Sequence, residues 1–328
     1  MGGSPDARDA RFVVGVDVGG TKVLAGVLDE ALEVRTRDER PTDRTDTAHL
    51  LAELEDQVSD AIAAAPGPVV ALGFGIPATI DQATGTAVFA PNAPLADVPV
   101  RAHLERRFGL PVVVDNDANV AAYAEYAAGA ARGVPDFVTL TLGTGVGGGV
   151  VLGGELFRGA TGAGAELGHM VIDIHGPECP SACPGVGCLE AHCSGTALGL
   201  AAHVEAIADP GGGLGRRAHA AGAVSALTSR DVVELAEEGD ERCRELIGDL
   251  GRKLGLALAG LANIFNPRLF VIGGGLAEAT GEAVLEPARE VLAKRALRPN
   301  CDARVVPAAF GNDAGLIGAA ALALRLAG

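Results

Sequence analysis

A carboxylate, an imidazole, three thiols and a second carboxylate stand in one short run: Glu166, His169, Cys179, Cys183, Cys188 and Glu190. A buried core has no use for that mixture. Cys₃His is a recognised tetrahedral zinc set. The spacings of ten, four and five, with Pro177, Pro180, Pro184, Gly185 and Gly187 between the ligands, suit a small knuckle without regular structure. Buried free cysteines are the plainer alternative, and Cys193, His175 and His192 stand near enough to compete as ligands. A His169 that ligates zinc through one nitrogen keeps the other for a hydrogen bond. The knuckle would then aim His169, Glu166 and Glu190 at a polyhydroxylated ligand, and sites that hydrogen-bond hydroxyls discriminate strongly against analogues lacking them. Such a zinc is structural, because Cys₃His leaves no open position for water.

Two glycine-rich turns lie upstream, at Gly19-Gly20-Thr21-Lys22 and at residues 143–149 (GTGVGGG). The second matches G-x-G-x-x-G, but that motif needs a helix after the turn, and Val150-Val151-Leu152 continues as a strand. No Gly-Lys dipeptide occurs, so there is no Walker A loop. A glycine-rich hairpin tip presents successive backbone N–H groups in a concave array that suits phosphate oxygens. One such loop reads as a turn. Two, each after a buried strand and one carrying Asp17 and Lys22, read as a nucleotide site. Asp17, at a strand end, is a candidate for holding Mg²⁺ through water, since Mg²⁺ prefers few carboxylates plus phosphate oxygens; a turn-capping aspartate is the alternative. Asp115, Asn116, Asp117 and Asn119 crowd four polar residues into five positions. One helix cap needs one of them, which leaves the others for chemistry.

The elements that must position these residues alternate. Strands are expected at 12–18, 23–29 and within 31–42, then a helix at 47–65 with Thr45 or Thr47 as its cap. A strand at 69–81, a helix at 100–108, a strand at 112–115 and a helix at 120–133 follow. The second half restates the first: strand 137–142, glycine turn, strand 150–157. Helices at 196–208, 228–238 and 240–264 lead to a strand at 268–276 that runs into a third glycine turn. A helix at 282–296, a strand at 303–310 and a helix at 313–327 close the chain. The class is α/β.

The 328 residues suggest two domains. Hydrophobic residues make up 48% of the chain, so it is not disordered. A net charge of −16 disfavours nucleic acid and anionic membrane surfaces as partners. Residues 1–10 are polar, and no long apolar run escapes glycine punctuation, so neither a signal peptide nor a membrane span is expected and a cytoplasmic location is. There, six cysteines read as metal ligands or free thiols rather than disulfides.

Several segments together resemble the ROK sugar kinases, and within them the bacterial glucokinases. They are DVGGTKVLAGVLD (17–29), GFGIPATID (73–81), APNAP (90–94), VVVDNDANVAAYAE (112–125), LTLGTGVGGGVVLGGELFRGATGAGAELGHMVID (140–173), CPGVGCLEAHCSG (183–195) and VIGGGL (271–276). The resemblance implies the two-domain actin/hexokinase-like (ribonuclease H-like) ATPase fold with an interdomain cleft. A small domain would comprise residues 1–122 and 312–328, and a large one 123–311. Gly19, Gly20, Thr21 and Lys22 would form one phosphate loop, Gly143, Thr144, Gly145 and Gly147 the other, with Gly274 near the adenosine. Asp117 would be the catalytic base. Asn92, Asn116, Asp117, Glu166, His169 and Glu190 would hold the sugar, and His169, Cys179, Cys183 and Cys188 the zinc.

The implied reaction is ATP- and Mg²⁺-dependent phosphorylation of a hexose, with glucose giving glucose 6-phosphate, in a homodimer or homotetramer. Another hexose or N-acetylhexosamine (fructose, mannose, N-acetylmannosamine), polyphosphate as donor, and a non-catalytic sugar-binding regulator are the alternatives. Repressors of the family carry a DNA-binding domain ahead of the first phosphate loop, and eleven residues before Phe12 are too few for one. Two departures stand out. Cys179 and Cys183 are two residues further apart than the family's usual C-x-C, and the Gly-Trp that many members place after Asn-Leu-Pro is absent from a chain without tryptophan.

Overall fold

The computed structural model describes residues 10–90, 93–181 and 183–328. The chain divides into two compact units. The first holds the chain up to Pro135, then Gly149–Ala165 and Asn312–Gly328; the second holds Asp136–Gly148 and Glu166–Gly311.

The chain opens with three strands, β1 (Phe12–Val18), β2 (Lys22–Asp29) and β3 (Val34–Pro41), followed by α1 (Thr47–Ala64). Then come β4 (Val69–Ile76), the short strands β5 (Thr79–Asp81) and β6 (Thr86–Phe89), and α2 (Val100–Phe108). β7 (Val112–Asn116) runs directly into α3 (Asp117–Ala127). The first sheet has the order β3-β2-β1-β4-β7, antiparallel from β1 to β3 and parallel from β1 to β7. β1 is apolar on both faces because both are covered, whereas edge strand β3 (VRTRDERP) exposes its charges, which guards the open edge against further pairing.

Next come β8 (Phe137–Leu142), β9 (Val146–Leu152) and β10 (Glu155–Leu156). After a 3-10 turn at Leu167–His169 come α4 (Leu189–Cys193), α5 (Gly195–Ala208), α6 (Gly213–Ala221), α7 (Ser229–Glu238) and the long α8 (Glu241–Phe265). β11 (Leu269–Gly273), α9 (Gly275–Thr280), α10 (Glu282–Arg295), β12 (Arg304–Pro307) and α11 (Ala314–Ala327) complete the chain. The second sheet has the order β10-β9-β8-β11-β12, with β8, β11 and β12 parallel.

The closing helix explains glycines that otherwise weaken a strand. A Cβ at Gly73 of β4 would lie 1.9 Å from the Ala319 carbonyl oxygen, and one at Gly15 of β1 2.3 Å from that of Leu316. α11 therefore lies flush on the first sheet, backbone against backbone. The same helix backs α3, since a Cβ at Gly318 would meet the Val120 carbonyl oxygen at 1.9 Å. That contact keeps α3 whole in the first unit, so the division falls after Pro135 rather than at residue 122 as read from the sequence.

The alternation of elements follows the sequence reading, with local differences. The expected strand at 69–81 breaks after Ile76, where Pro77 donates no hydrogen bond and Ala78 N–H turns back to the Ile76 carbonyl at 2.7 Å. The expected strand at 150–157 breaks at Gly153 and Gly154, whose φ values of 59° and 81° make the two-residue hairpin turn into β10. β9 starts at Val146, so the second glycine turn shrinks to residues 143–145 and Gly147 lies within a strand. The third glycine run is a strand-to-helix turn: Gly274 (φ 90°) ends β11 and Gly275 begins α9. The cap of α1 is Asp46, whose carboxylate accepts His49 N–H at 2.9 Å, rather than Thr45 or Thr47. α4 and α6 escape the sequence reading because they are short and, in α6, rich in glycine and arginine. Among the described residues no helix is long and apolar enough to cross a membrane.

Candidate functional site

In the first unit, the polar cluster after β7 resolves into distinct jobs. Asn116 is the cap of α3: its side-chain oxygen accepts Ala118 N–H at 2.9 Å and Asn119 N–H at 3.2 Å, while its amide donates to the Ala78 carbonyl at 3.4 Å. Asp117 is therefore the first residue of a capped helix, and its Oδ1 accepts Ala118 N–H at 2.9 Å. Burial raises its pKa above the ordinary carboxylate value, opposed by the Ala118 N–H and the Asn116 amide.

Asp17, the penultimate residue of β1, is raised to about 7 by burial first and the charge of Asp117 second, with Lys22 pulling the other way. Only a glycine at 315 leaves room for this carboxyl under α11, because a Cβ there would lie 2.2 Å from Asp17 Cγ. Asp17 thus lies at the strand end that leads into the first glycine turn, within reach of the Asp117 charge.

That turn is held by Gly19 N–H to the Lys22 carbonyl at 2.8 Å and by the Thr42 hydroxyl to the Gly19 carbonyl at 2.8 Å. A Cβ at Gly20 would meet nothing within 4 Å, so its smallness serves no internal packing. Lys22 opens β2 at the surface and pairs with Glu39 at 2.9 Å.

In the second unit, Gly143 and Thr144 form the exposed tip between β8 and β9. Gly195 N–H donates to the Gly143 carbonyl at 2.7 Å, and the Thr196 hydroxyl to the Thr144 carbonyl at 2.9 Å. Gly143 also has open space where a Cβ would go, whereas a Cβ at Gly145 would lie 2.4 Å from Glu190 Oε2. That close approach lets the buried Glu190 (6% exposed) accept Val146 N–H at 2.8 Å, tying a carboxylate to the glycine turn.

Glu166 is exposed and precedes the 3-10 turn that carries His169. Ala165 just before it holds φ 64°, a strained conformation for a residue with a Cβ.

His169, Cys179, Cys183 and Cys188 come together with all four ligand atoms within 4.8 Å of one another. Tetrahedral zinc, with Zn–S about 2.3 Å and Zn–N about 2.0–2.1 Å, has ligand-to-ligand edges of about 3.5–3.8 Å. Cys183 and Cys188 sulfurs lie 3.9 Å apart, and Cys179 sulfur lies 3.7 Å from His169 Nδ1. The set fits zinc, and it is Nδ1 that faces the thiols, which frees Nε2. Without a metal, burial and the neighbouring thiols push Cys188 up to about 12. Gly185 packs under the cluster, where a Cβ would sit 2.6 Å from the Cys188 sulfur. The longer Cys179–Cys183 spacing therefore does not remove Cys179 from the set. The rival ligands point elsewhere: Cys193 sulfur donates to the Leu250 carbonyl, and His192 faces Asp173 at 3.8 Å. His175 lies outside the cluster, its backbone N–H bonded to Asp173.

A cavity of about 750 Å³ opens beside the second glycine turn. Gly143, Thr144, Gly195 and Thr196 form one end, with Leu200, Leu227, Val233 and Leu276 among the walls. Its size and apolar lining suit a nucleobase and sugar, with a polar end for phosphates. Sequence reasoning missed most of this wall. The only signal was Ser194-Gly195-Thr196 after the knuckle, with the Ser194 hydroxyl capping α5 through Ala197 N–H. Gly275, not Gly274, lines the cavity; Gly274 is needed where it crosses β8, a Cβ there lying 2.4 Å from the Leu142 carbonyl oxygen. Asn92 lies outside the described residues.

The family model described as "ROK family" matches residues 13–326. A glucokinase of Streptomyces coelicolor is 37% identical over 319 residues, covering 95% of this chain and 97% of the relative. A xylose repressor of Caldicellulosiruptor bescii is 32% identical over 292 residues, covering 88% of this chain and 71% of the relative. Among solved structures, a ROK family glucokinase from Streptomyces griseus in complex with glucose and AMPPNP superposes with a TM-score of 0.81 at 36% identity, over 96% of this chain and 99% of that one. The α/β two-domain fold expected from the sequence is that of this structure.

Proposed function

The chain belongs to the ROK family, and on that premise we propose that it transfers the γ-phosphoryl group of ATP to the primary hydroxyl of a hexose, glucose to glucose 6-phosphate. The observation that carries this reading is Asp117, held as the first residue of the capped helix α3 in a chain 37% identical to a glucokinase over 95% of its length. Phosphoryl transfer needs positioning and charge neutralisation more than covalent chemistry. Asp117 accepts the proton of the attacking hydroxyl, and its raised pKa brings it closer to the task than an ordinary carboxylate. Held by the α3 cap, it also orients that hydroxyl. Asp17 would hold Mg²⁺ through water, and that ion would supply charge neutralisation on the phosphates.

The N–H groups of Gly20 and Thr21 in the first turn and of Thr144 and Gly145 in the second receive phosphate oxygens, and the 750 Å³ cavity takes the nucleoside. Asn116, Glu166, His169 through Nε2, and Glu190 hold sugar hydroxyls, with Asn92 assigned to the same task by resemblance. Zinc on His169, Cys179, Cys183 and Cys188 would be structural and would fix the His169 ring.

ADP release from ATP with glucose, measured for the parent and Asp117→Asn, tests the assignment. The variant is expected to lose about 10²–10⁴-fold in kcat with its fold retained; parental turnover would remove Asp117 from the role. The missing Gly-Trp of the family's sugar loop favours, as second reading, a different hexose at the same site.

A further inference from the structure

Asp115 stands two residues before Asp117 and is 1% exposed, yet the roles above leave it without a task. Its carboxyl is surrounded by donors. Oδ1 accepts Asn116 N–H at 2.8 Å, Asn119 Nδ2 at 3.0 Å and Gln82 Nε2 at 3.2 Å. Two of these donors bracket Asp117, one on the residue before it and one two residues after. Oδ2 takes the guanidinium of Arg158, with Nε and Nη2 each at 2.7 Å.

Arg158 is the only ion-pair partner of Asp115 among the described residues. It sits two residues beyond β10 on a loop that its surroundings hold firmly. Gly164 N–H donates to the Arg158 carbonyl at 2.9 Å. The loop is also pressed onto β5, where a Cβ at Gly162 (φ 84°) would lie 1.8 Å from the Ile80 carbonyl oxygen.

A buried ion pair is a poor stabiliser compared with apolar groups of the same shape, and its best use is to fix geometry. Here the geometry fixed is the first turn of α3. Without the guanidinium, the buried Asp115 carboxylate is left without its charge partner and admits water, which loosens the three bonds on Oδ1.

We propose that Arg158 is a positioning residue for phosphoryl transfer, acting through Asp115 on the helix turn that presents Asp117. The inference rests on the reading of Asp117 as the base. Misplacing a reacting group by an ångström costs rate rather than substrate affinity. Arg158→Ala is therefore expected to lower kcat about tenfold to a hundredfold while KM for ATP stays near the parent value. The approach to Arg158 is open, through a cavity of about 600 Å³ lined by Asp81, Gln82, Phe157 and Arg158 itself. Added guanidinium ion should enter there and restore a large part of the lost kcat, whereas urea and sodium chloride at equal concentration should not.

The experiment measures kcat and KM of the full chain for the parent, Arg158→Ala, Arg158→Lys and Asp117→Asn, with guanidinium, urea and salt arms. It also measures amide hydrogen exchange across residues 116–120. Loss of kcat at unchanged KM, specific rescue by guanidinium, and at least tenfold faster exchange confined to 116–120 support the proposal. Arg158→Lys covers an Arg158→Ala that does not fold: it keeps the charge without the fork, and a several-fold loss of kcat at parental Tm is expected. Parental kcat in these variants, a kcat loss that guanidinium leaves unchanged, or unaltered exchange at 116–120 overturns it. If Asp117→Asn keeps parental turnover, the base assignment fails instead. If no sugar is turned over, the exchange measurement still decides whether Arg158 orders this turn.

Discussion

Asp17 carries a cost that its proposed function explains. Its folded pKa is raised from 3.8 to about 7, so the folded chain holds a proton that the unfolded chain has already released. The cost to stability is absent below 3.8, grows as pH rises toward 7, and is complete above 7. Asp17→Asn removes it. In metal-free buffer the variant should melt a few degrees above the parent near pH 8, with the difference vanishing near pH 4. Its kinase turnover should fall at least tenfold, and thermal melts at the two pH values beside the ADP assay check both halves. Equal Tm at pH 8 would show that the ionised carboxyl is not strained. At this scale much was legible. Four polar residues in five positions exceed what a cap needs, and the structure divides them between a cap (Asn116), a helix-start carboxylate (Asp117), a buried anchor (Asp115) and a donor to that anchor (Asn119). The partner of that anchor was not legible, because Arg158 is 43 residues away and only the fold brings it near.

The cluster of His169, Cys179, Cys183 and Cys188 was readable from residue types alone, since thiols and an imidazole around Pro and Gly have few other uses in such a loop. Its hydrogen bonds, Cys179 N–H to the Gly185 carbonyl at 3.0 Å and Gly185 N–H to the Cys183 sulfur at 3.2 Å, draw the two outer arms together whatever their spacing. Purified chain should contain about one zinc, and Cys188→Ser should lose it along with several degrees of Tm. Metal analysis showing no zinc in the parent would contradict the site.

The cavity wall was not readable. Leu200 in α5, Leu227 between α6 and α7, and Val233 in α7 look like ordinary core residues in the sequence. Gly275 offers a test of this element. A Cβ there meets nothing within 4 Å, so Gly275→Val should fold normally and project into the cavity. KM for ATP should rise about tenfold, with KM for the sugar unchanged. An unchanged KM for ATP would place the nucleoside elsewhere.

The order of strands and helices followed from apolar runs and turn residues. Strand boundaries slipped at Gly and Pro, where φ or a missing N–H overrides the pattern, and the helix expected at 120–133 runs instead from Asp117 to Ala127 because Asn116 caps it. The division into units was harder. α11, the last element in the chain, belongs with the first sheet, and the only local hint is the set of glycines at 15 and 73 that let its backbone settle there.

The most direct test of the whole account is ADP release from ATP and Mg²⁺ over a panel of glucose, mannose, fructose and N-acetylmannosamine, with polyphosphate as a second donor. The account predicts sugar-dependent ADP release, with the highest kcat/KM on glucose. No ADP release above background with any of these sugars would contradict it.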